Sequence, residues 1–336
     1  MGLQIGGLVS RKEISFEELK GRIIAVDAYN AIYQFLSSIR QPDGTPLMDS
    51  KKRITSHLSG IFYRNISLIS EGIKLIYVFD GEYSILKGRT HEIRQEAKIV
   101  AASKYQKAKE EEDVEAMGKY ARGFVKLEPK MIEESKALLE AMGIAVIQAP
   151  GEGEMQAAHL VKTGEAYAVA SQDYDALVVG GKRLIQNLTL ARKRRTASGF
   201  VEVHPEMIEY EKVLNELNIT GDQLICLAIL VGTDFNPGGV RGIGPKKALA
   251  LVSQRKTPVE IFREVEHQLD FNWKDVFEIF KKPNVANVKP VFGKLNAEEI
   301  VRILVEEHDF SEERVRKNLE KLAQVKRASA QRTLFG

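Results

Sequence analysis

Short runs of β-branched and other apolar residues alternate along the chain with longer stretches whose apolar positions recur three and four apart. This is the pattern of a parallel sheet covered by helices. Arg22 to Val26 (RIIAV), Ile73 to Phe79 (IKLIYVF), Ile144 to Ile147 (IAVI) and Tyr167 to Ala170 (YAVA) read as strands, each followed by a turn and a helical pattern. Thr55 to Ile69 and Pro129 to Met142 carry the periodicity of helices packed by one face on a sheet. Between Leu86 and Gly123 the runs KGRTHEIRQEAK and KAKEEED leave few large apolar side chains, so this stretch predicts a charged helical excursion that buries little. After Phe200 the pattern is mainly helical, with a glycine-rich turn at Asn236 to Gly244 and a final charged helix from Ser311. The expected fold is α/β, a mostly parallel twisted sheet with helices on both faces and neither an internal repeat nor a long linker.

Every predicted strand runs into acid. Asp27 follows the first, Asp80 the second, Glu152 and Glu154 the third, and Asp173 and Asp175 the fourth. In an open parallel sheet these ends share one edge, so residues scattered along the sequence converge. Glu152 and Glu154 come after Pro150 and Gly151, at a helix entrance where the dipole favours negative charge. Asp173 and Asp175 are two apart, which in extended chain sends both side chains to one face. Asp234, beyond the predicted helix from Asp222 to Gly232, joins the set.

One such aspartate alone is most often a helix cap or a loop acid. Several crowded together cannot all stay ionised without compensating cations. The donors are hard oxygens and none of the 6 histidines falls in these motifs, so magnesium or manganese fits and zinc does not. Acid-rich open sites suit two ions roughly 4 Å apart that clamp an in-line phosphoryl displacement. A structural calcium site would normally come from one continuous loop.

Composition narrows the class. With 336 residues, 44% hydrophobic and 28% charged, the chain can bury a large core or two smaller ones, which excludes disorder. A net charge of +3 is too small to argue nucleic-acid binding in bulk, so the placement of the basic residues must decide. The single cysteine, Cys226, lies in an apolar run and fits a reducing compartment. No apolar stretch approaches the ~20 residues of a membrane span and no signal peptide is apparent, so an intracellular, cytoplasmic protein is expected.

Two basic features are placed suggestively. In GTDFNPGGVRGIGPKKALALV, Gly242 and Gly244 precede Pro245 and a helical run carrying Lys246 and Lys247. Glycines let backbone N–H groups approach a phosphate, and the helix N-terminus adds donors, as sequence-independent duplex binding requires. Lys87, Arg89, Arg94 and Lys98 lie on the charged excursion just after Asp80, where cations could reach a phosphate. Lys87 and Arg94, seven apart, share one helical face. The run RKRR at Arg192 to Arg195 carries no assigned role.

Taken together, VDAYNAIYQFL around Asp27, RQPDGTPLMDSKKRITSHLSGIFYR from Arg40, VFDG at Asp80, APGEGE at Glu152, SQDYD at Asp173 and GTDFNPGGVRGIGPKK resemble the archaeal-type flap structure-specific endonucleases. These belong to the wider 5′ nuclease family related to the XP-G nucleases, and the likeness spans nearly the entire chain. It implies a helical arch over the active site and a helix-two-turn-helix element that holds duplex DNA, with a potassium ion there. It implies two magnesium ions, replaceable by manganese: Asp80 and Glu152 on one with Asp27 nearby through water, Asp173, Asp175 and Asp234 on the second, and Glu154 between. By the same resemblance, Lys87 and Arg94 orient the scissile phosphate and Tyr33 stacks on a terminal base. The segments around Thr55 and Phe310 receive a short 3′ flap, and Gly2 lies near the active site. Gln331, Leu334 and Phe335 stand where the family carries a sliding-clamp motif, here without its paired aromatic end. Gly151 replaces the usual serine of the Ser-Glu-x-Glu motif, which removes a cap but no ligand.

The regions implied are a nuclease portion at 1–105 with the arch at about 84–128, a second nuclease portion at 129–215, a helix-two-turn-helix region at 216–310 and a C-terminal helix and tail at 311–336. The implied activity is cleavage of 5′ flaps at the single-strand/double-strand junction, with 5′ to 3′ exonuclease activity and a 5′-phosphate product. Lagging-strand maturation and long-patch base excision repair are the implied settings. The alternatives are a related 5′ nuclease for bubbles, gaps or junctions, and a noncatalytic DNA-binding scaffold.

Overall fold

A computed structural model describes residues 3–81, 87–111, 113–190, 193–196 and 199–334. Its strands are β1 (Lys12–Glu13), β2 (Ile23–Asp27), β3 (Lys74–Phe79), β4 (Ala145–Gln148), β5 (Ala168–Ala170), β6 (Arg183–Gln186), β7 (Lys193–Thr196), β8 (Gly199–Glu202) and β9 (Glu206–Glu209). Seven of them form one sheet in the order β1-β9-β6-β5-β2-β3-β4, while β7 and β8 pair separately as an antiparallel hairpin. From β4 to β6 the neighbours are parallel; β9 and β1 close that edge antiparallel.

The helices are α1 (Ala28–Ser38), α2 (Ser56–Ser70), α3 (Gly88–Glu110), α4 (Val114–Ala121), α5 (Pro129–Ala141), α6 (Gly153–Thr163), α7 (Asp175–Val178), α8 (Tyr210–Leu217), α9 (Gly221–Val231), α10 (Pro245–Gln254), α11 (Pro258–Arg263), α12 (Trp273–Lys281), α13 (Ala297–Val301) and α14 (Glu312–Leu334).

Alternation along the strands divides the core. Ile24, Val26, Leu75, Tyr77 and Phe79 face one layer with α1, α2, α5, α13 and α14, whereas Ala25, Ile76, Val78 and Val169 face the other with α6, α7 and α9. Such two-sided burial is why these strands read as nearly continuous apolar runs. Tyr77, fully buried, donates its hydroxyl to Asn65 Oδ1 at 2.9 Å and so leaves no orphaned phenol. The apolar helix α9, which holds Cys226, is buried along Leu224–Leu230 and starts with a reciprocal capping box between Thr220 and Gln223. Its C-terminus must turn at Gly232, where φ is 111° and a Cβ would stand 2.6 Å from the backbone nitrogen of Gly239. Among the described residues, no single helix is long and apolar enough to cross a membrane.

The charged excursion forms α3 and α4. Along α3, Ile93, Ile99 and Val100 stay exposed and burial is confined to residues such as Thr90 and Ala108, in keeping with its composition.

Candidate metal centre and nucleic-acid interface

Because β2 to β5 run parallel, their carboxyl ends deliver the acids to one edge of the sheet. Asp27 ends β2 and caps α1, its Oδ1 accepting from the Asn30 amide at 3.1 Å. Asp80 follows β3 and accepts from the Gly153 amide at 2.6 Å. A Cβ on residue 153 would lie 2.8 Å from that same Oδ1, so glycine is what lets α6 begin against Asp80. Glu152 is the residue preceding α6, and Glu154 in its first turn accepts from the Ala176 amide at 3.0 Å, joining α6 to α7.

Asp173 and Asp175 are not on extended chain, contrary to the expectation from their spacing. Tyr174 between them has φ −103° and ψ 0°, and Asp175 opens α7, so a turn into a helix brings the two together. Asn30, which sequence reasoning passed over, ties the first and fourth strand ends: its side-chain amide donates to Asp173 Oδ2 at 3.3 Å, and its Oδ1 accepts from the Gln172 amide at 3.3 Å. Among the described residues, Asp175 Oδ1 is buried with no hydrogen-bond partner. Asp234 lies past α9 and takes both its oxygens to Arg94, at 2.7 and 2.8 Å.

The electrostatic strain is large. Burial, then the charge of Asp80, pushes Asp27 up to about 8. Burial, then Asp173 and Asp234, pushes Asp175 up to about 7. Burial and Glu152 take Asp80 to about 6, and burial with neighbouring acids raises Glu154 and Asp173 as well. Such groups ionise together only beside positive charge. Lys87 supplies some, 2.5 Å from Glu152 and 3.7 Å from Asp234, with its ammonium 5.1 Å above the Phe235 ring. Burial works against that ammonium, but Glu152 and Asp234 hold its pKa up. Thr90 Oγ1 donates to the Asp234 carbonyl at 2.6 Å and fixes α3 there.

The acids do not close a cage: among the described residues, no three are already drawn around one point as a metal site. Even so, a hard oxygen donor set, carboxyls pushed towards neutrality and a partnerless buried oxygen on Asp175 suit divalent cations with oxygen preference.

Lys87 and Arg94 thus face the acids together, as their spacing implied, but Arg89 and Lys98 do not. Arg89 pairs with Asp270 at 3.0 Å, and Lys98 lies 5.6 Å from the ring centre of Tyr33, which is 38% exposed. Around Thr55 the surface belongs to Lys51 and Lys52, since Thr55 itself is buried. The half-buried Phe310 lies near it: Asp309 Oδ2 accepts from the Ser50 amide at 2.8 Å. Beneath, His308 spans from Asp49 (3.3 Å) to Glu134 (3.4 Å), and His57 meets Glu134 at 3.3 Å.

At the glycine turn, Gly242 has φ 79°, which demands glycine, whereas Gly244 has an ordinary φ of −93° with open space around its Cβ position. No contact inside the chain therefore requires glycine at 244. Pro245 opens α10, Lys246 is exposed, and Lys247 donates back to the Gly242 carbonyl at 3.1 Å. Gln331 and Leu334 belong to the end of α14; Phe335, Gly2 and Arg192 lie outside the described residues.

Residues 4–101 match the XPG N-terminal domain and residues 143–234 the XPG I-region. A parallel sheet carrying acids at its edge, with both matched segments contributing strands, defines a metal-dependent nuclease of the XPG class. The chain is 51% identical over 337 residues to flap endonuclease 1 of Pyrococcus abyssi, covering 99% of this chain and 97% of that one. It is 47% identical over 319 residues to flap endonuclease 1 of Saccharolobus solfataricus, covering 93% and 91%. The solved flap endonuclease-1 of Methanococcus jannaschii superposes with a TM-score of 0.77 at 41% identity, over 96% of this chain and 98% of that one. The chain belongs to the flap endonuclease 1 family. The catalytic core of Rad2, solved with a DNA substrate, shares the fold at a TM-score of 0.68 and 23% identity, over 95% of this chain and 97% of that one.

Proposed function

We propose that the chain hydrolyses the phosphodiester at the junction between a 5′ single-stranded flap and duplex DNA, leaving a 5′ phosphate, with weaker 5′ to 3′ exonuclease activity. Asp80 and Glu152, with Asp27 beside them, hold one magnesium ion; Asp173, Asp175 and Asp234 hold the second, with Glu154 between. Magnesium there supplies an activated water and a counter-charge for the leaving oxygen, and manganese can replace it. Lys87 and Arg94 exchange their carboxylate partners for phosphate oxygens and hold the scissile phosphate in line. Tyr33 offers its face to a terminal base. The N-terminus of α10, with Gly242, Gly244, Lys246 and Lys247, grips the duplex backbone. No carboxylate occurs from Phe235 to Lys247, so potassium, held by neutral oxygens, fits that turn better than a divalent ion. The region around Thr55 and Phe310 receives a short 3′ flap.

In this reading 1–105 and 129–215 supply the nuclease, 216–310 the duplex grip, and the tail from 311 a sliding-clamp contact through Gln331, Leu334 and Phe335. Lagging-strand maturation and long-patch base excision repair are the processes such an activity serves.

The observation that carries the reading is the direct pairing of the two arch cations with Glu152 and Asp234, which sets transition-state donors and metal-type ligands in one place. The test is a panel of labelled flap, bubble and plain duplex DNA, with and without magnesium. Magnesium-dependent cutting concentrated at the flap junction is expected. Equal cutting of bubbles would indicate the related junction nucleases, and tight binding without cutting in magnesium would indicate a scaffold.

A further inference from the structure

Tyr174 separates Asp173 from Asp175, yet its side chain turns away from the acids and is 8% exposed. Its hydroxyl accepts a hydrogen bond from Arg11 Nη2 at 2.6 Å, a contact across 163 residues of sequence. The same nitrogen donates to the Gly6 carbonyl at 3.2 Å, and Arg11 Nε lies 4.0 Å from Glu206 on β9. A Cβ on residue 6 would stand 2.7 Å from the tyrosine oxygen and 2.8 Å from Arg11 Nη2, so any side chain there would push these two ends away from Gly6. At its other end, the Tyr174 carbonyl receives the Leu177 and Val178 amides, at 2.9 and 3.2 Å, and sets the start of α7. The residue is therefore held at both ends, by the helix through its backbone and by the N-terminal segment through its ring.

The acids on either side are held far less firmly. Among the described residues, Asp175 Oδ1 has no hydrogen-bond partner, and the side chain of Asp173 receives one long bond, from Asn30. Their direction depends on the backbone that carries them. We propose that Arg11, by gripping the Tyr174 hydroxyl and the Gly6 carbonyl together, is a positioning residue that orients Asp173 and Asp175 towards the second metal ion. This rests on the assignment of those two aspartates as ligands. Arg11 touches neither metal nor DNA in this account; it fixes the tilt of the turn, as outer hydrogen bonds do for ligands generally.

Tyr174→Phe deletes the accepting oxygen and keeps the ring, and Arg11→Gln deletes the donor cation. Manganese binding to the full chain, read by electron paramagnetic resonance, should show one of two sites weakened ~10-fold or more in either variant, the range expected for loss of an outer partner. Half-saturating magnesium for single-turnover cleavage should rise by a similar factor, and saturating magnesium should restore the rate to within a few-fold. The double variant should be no worse than either single, since the two residues act through one hydrogen bond. Unchanged manganese affinity would overturn the proposal, as would a rate loss that magnesium does not rescue. Asp175→Asn serves as the control. If it loses a manganese site while Tyr174→Phe does not, the positioning role fails alone; if it keeps both sites, the ligand assignment fails and takes this proposal with it.

Discussion

At the scale of single residues, Asp175 is the most exacting position, because it is buried, unpartnered at Oδ1 and pushed up to about 7 by burial and its acidic neighbours. Asp175→Asn should abolish flap cleavage in magnesium and leave flap affinity largely intact, since it removes a ligand and its charge but no group that touches DNA; gel-shift and single-turnover assays on one substrate separate the two. Lys87→Ala or Arg94→Ala should slow single-turnover cleavage by ~100-fold, the usual cost of removing a transition-state donor, with a much smaller change in affinity. Large affinity losses with unchanged chemistry would reassign both to general DNA binding. These residues were legible because each acid follows an apolar run and the two cations, seven apart, share one helical face. Asn30, Thr90 and Arg11 were not: their importance lies in partners 143, 144 and 163 positions away, and nothing in the local pattern marks them.

Among the elements, four of the five parallel strands, β2 to β5, and the helices covering them were readable, since burial on both faces writes an unbroken apolar run. The rest of the sheet was not. β6 (Arg183–Gln186) and β9 (Glu206–Glu209) are each half charged or amide residues within four positions, and β1, at the edge, is a Lys-Glu pair, so none is long or apolar enough to show a strand period. The turn at 173–175 was misjudged for a different reason: Asp175 already opens α7 and Tyr174 is tied to Arg11 at the N-terminal segment, tertiary features that period-two reasoning cannot register. For α10, the prediction concerns salt. Lys246→Ala combined with Lys247→Ala should lower the slope of log K against log salt on a long duplex arm by ~1 to 2, one for each phosphate no longer neutralised. Gly244→Val, facing open space, should cost about 1 kcal/mol or less of stability as a poorer helix cap, yet weaken duplex binding across sequences. A double-lysine variant with the wild-type slope would remove this turn as the duplex anchor.

The whole molecule carries a linkage between protons, metal and stability. Asp27, Asp80 and Asp175 have folded-state values of about 8, about 6 and about 7, all above the ordinary aspartate value. Between that ordinary value and these raised ones the folded chain binds more protons than the unfolded chain, so stability falls as pH rises through the window. Without divalent metal, the melting temperature should therefore drop from about pH 5 to about pH 8, and the increment given by magnesium should grow over the same interval. An increment independent of pH would separate the ion from these carboxylates. The net charge of +3 said little about function because the decisive charges are local: acids gathered at one sheet edge, with Lys87 and Arg94 from the charged excursion set against them.

The most direct test of a two-ion carboxylate centre is the single-turnover rate of 5′ flap cleavage as a function of free magnesium, with a chelator as the zero point. A second-order rise at the lowest concentrations, levelling at saturation and vanishing in chelator, is the result expected when both carboxylate groups must fill before the bond breaks. Cleavage that persists in chelator, or a first-order rise throughout, would contradict it.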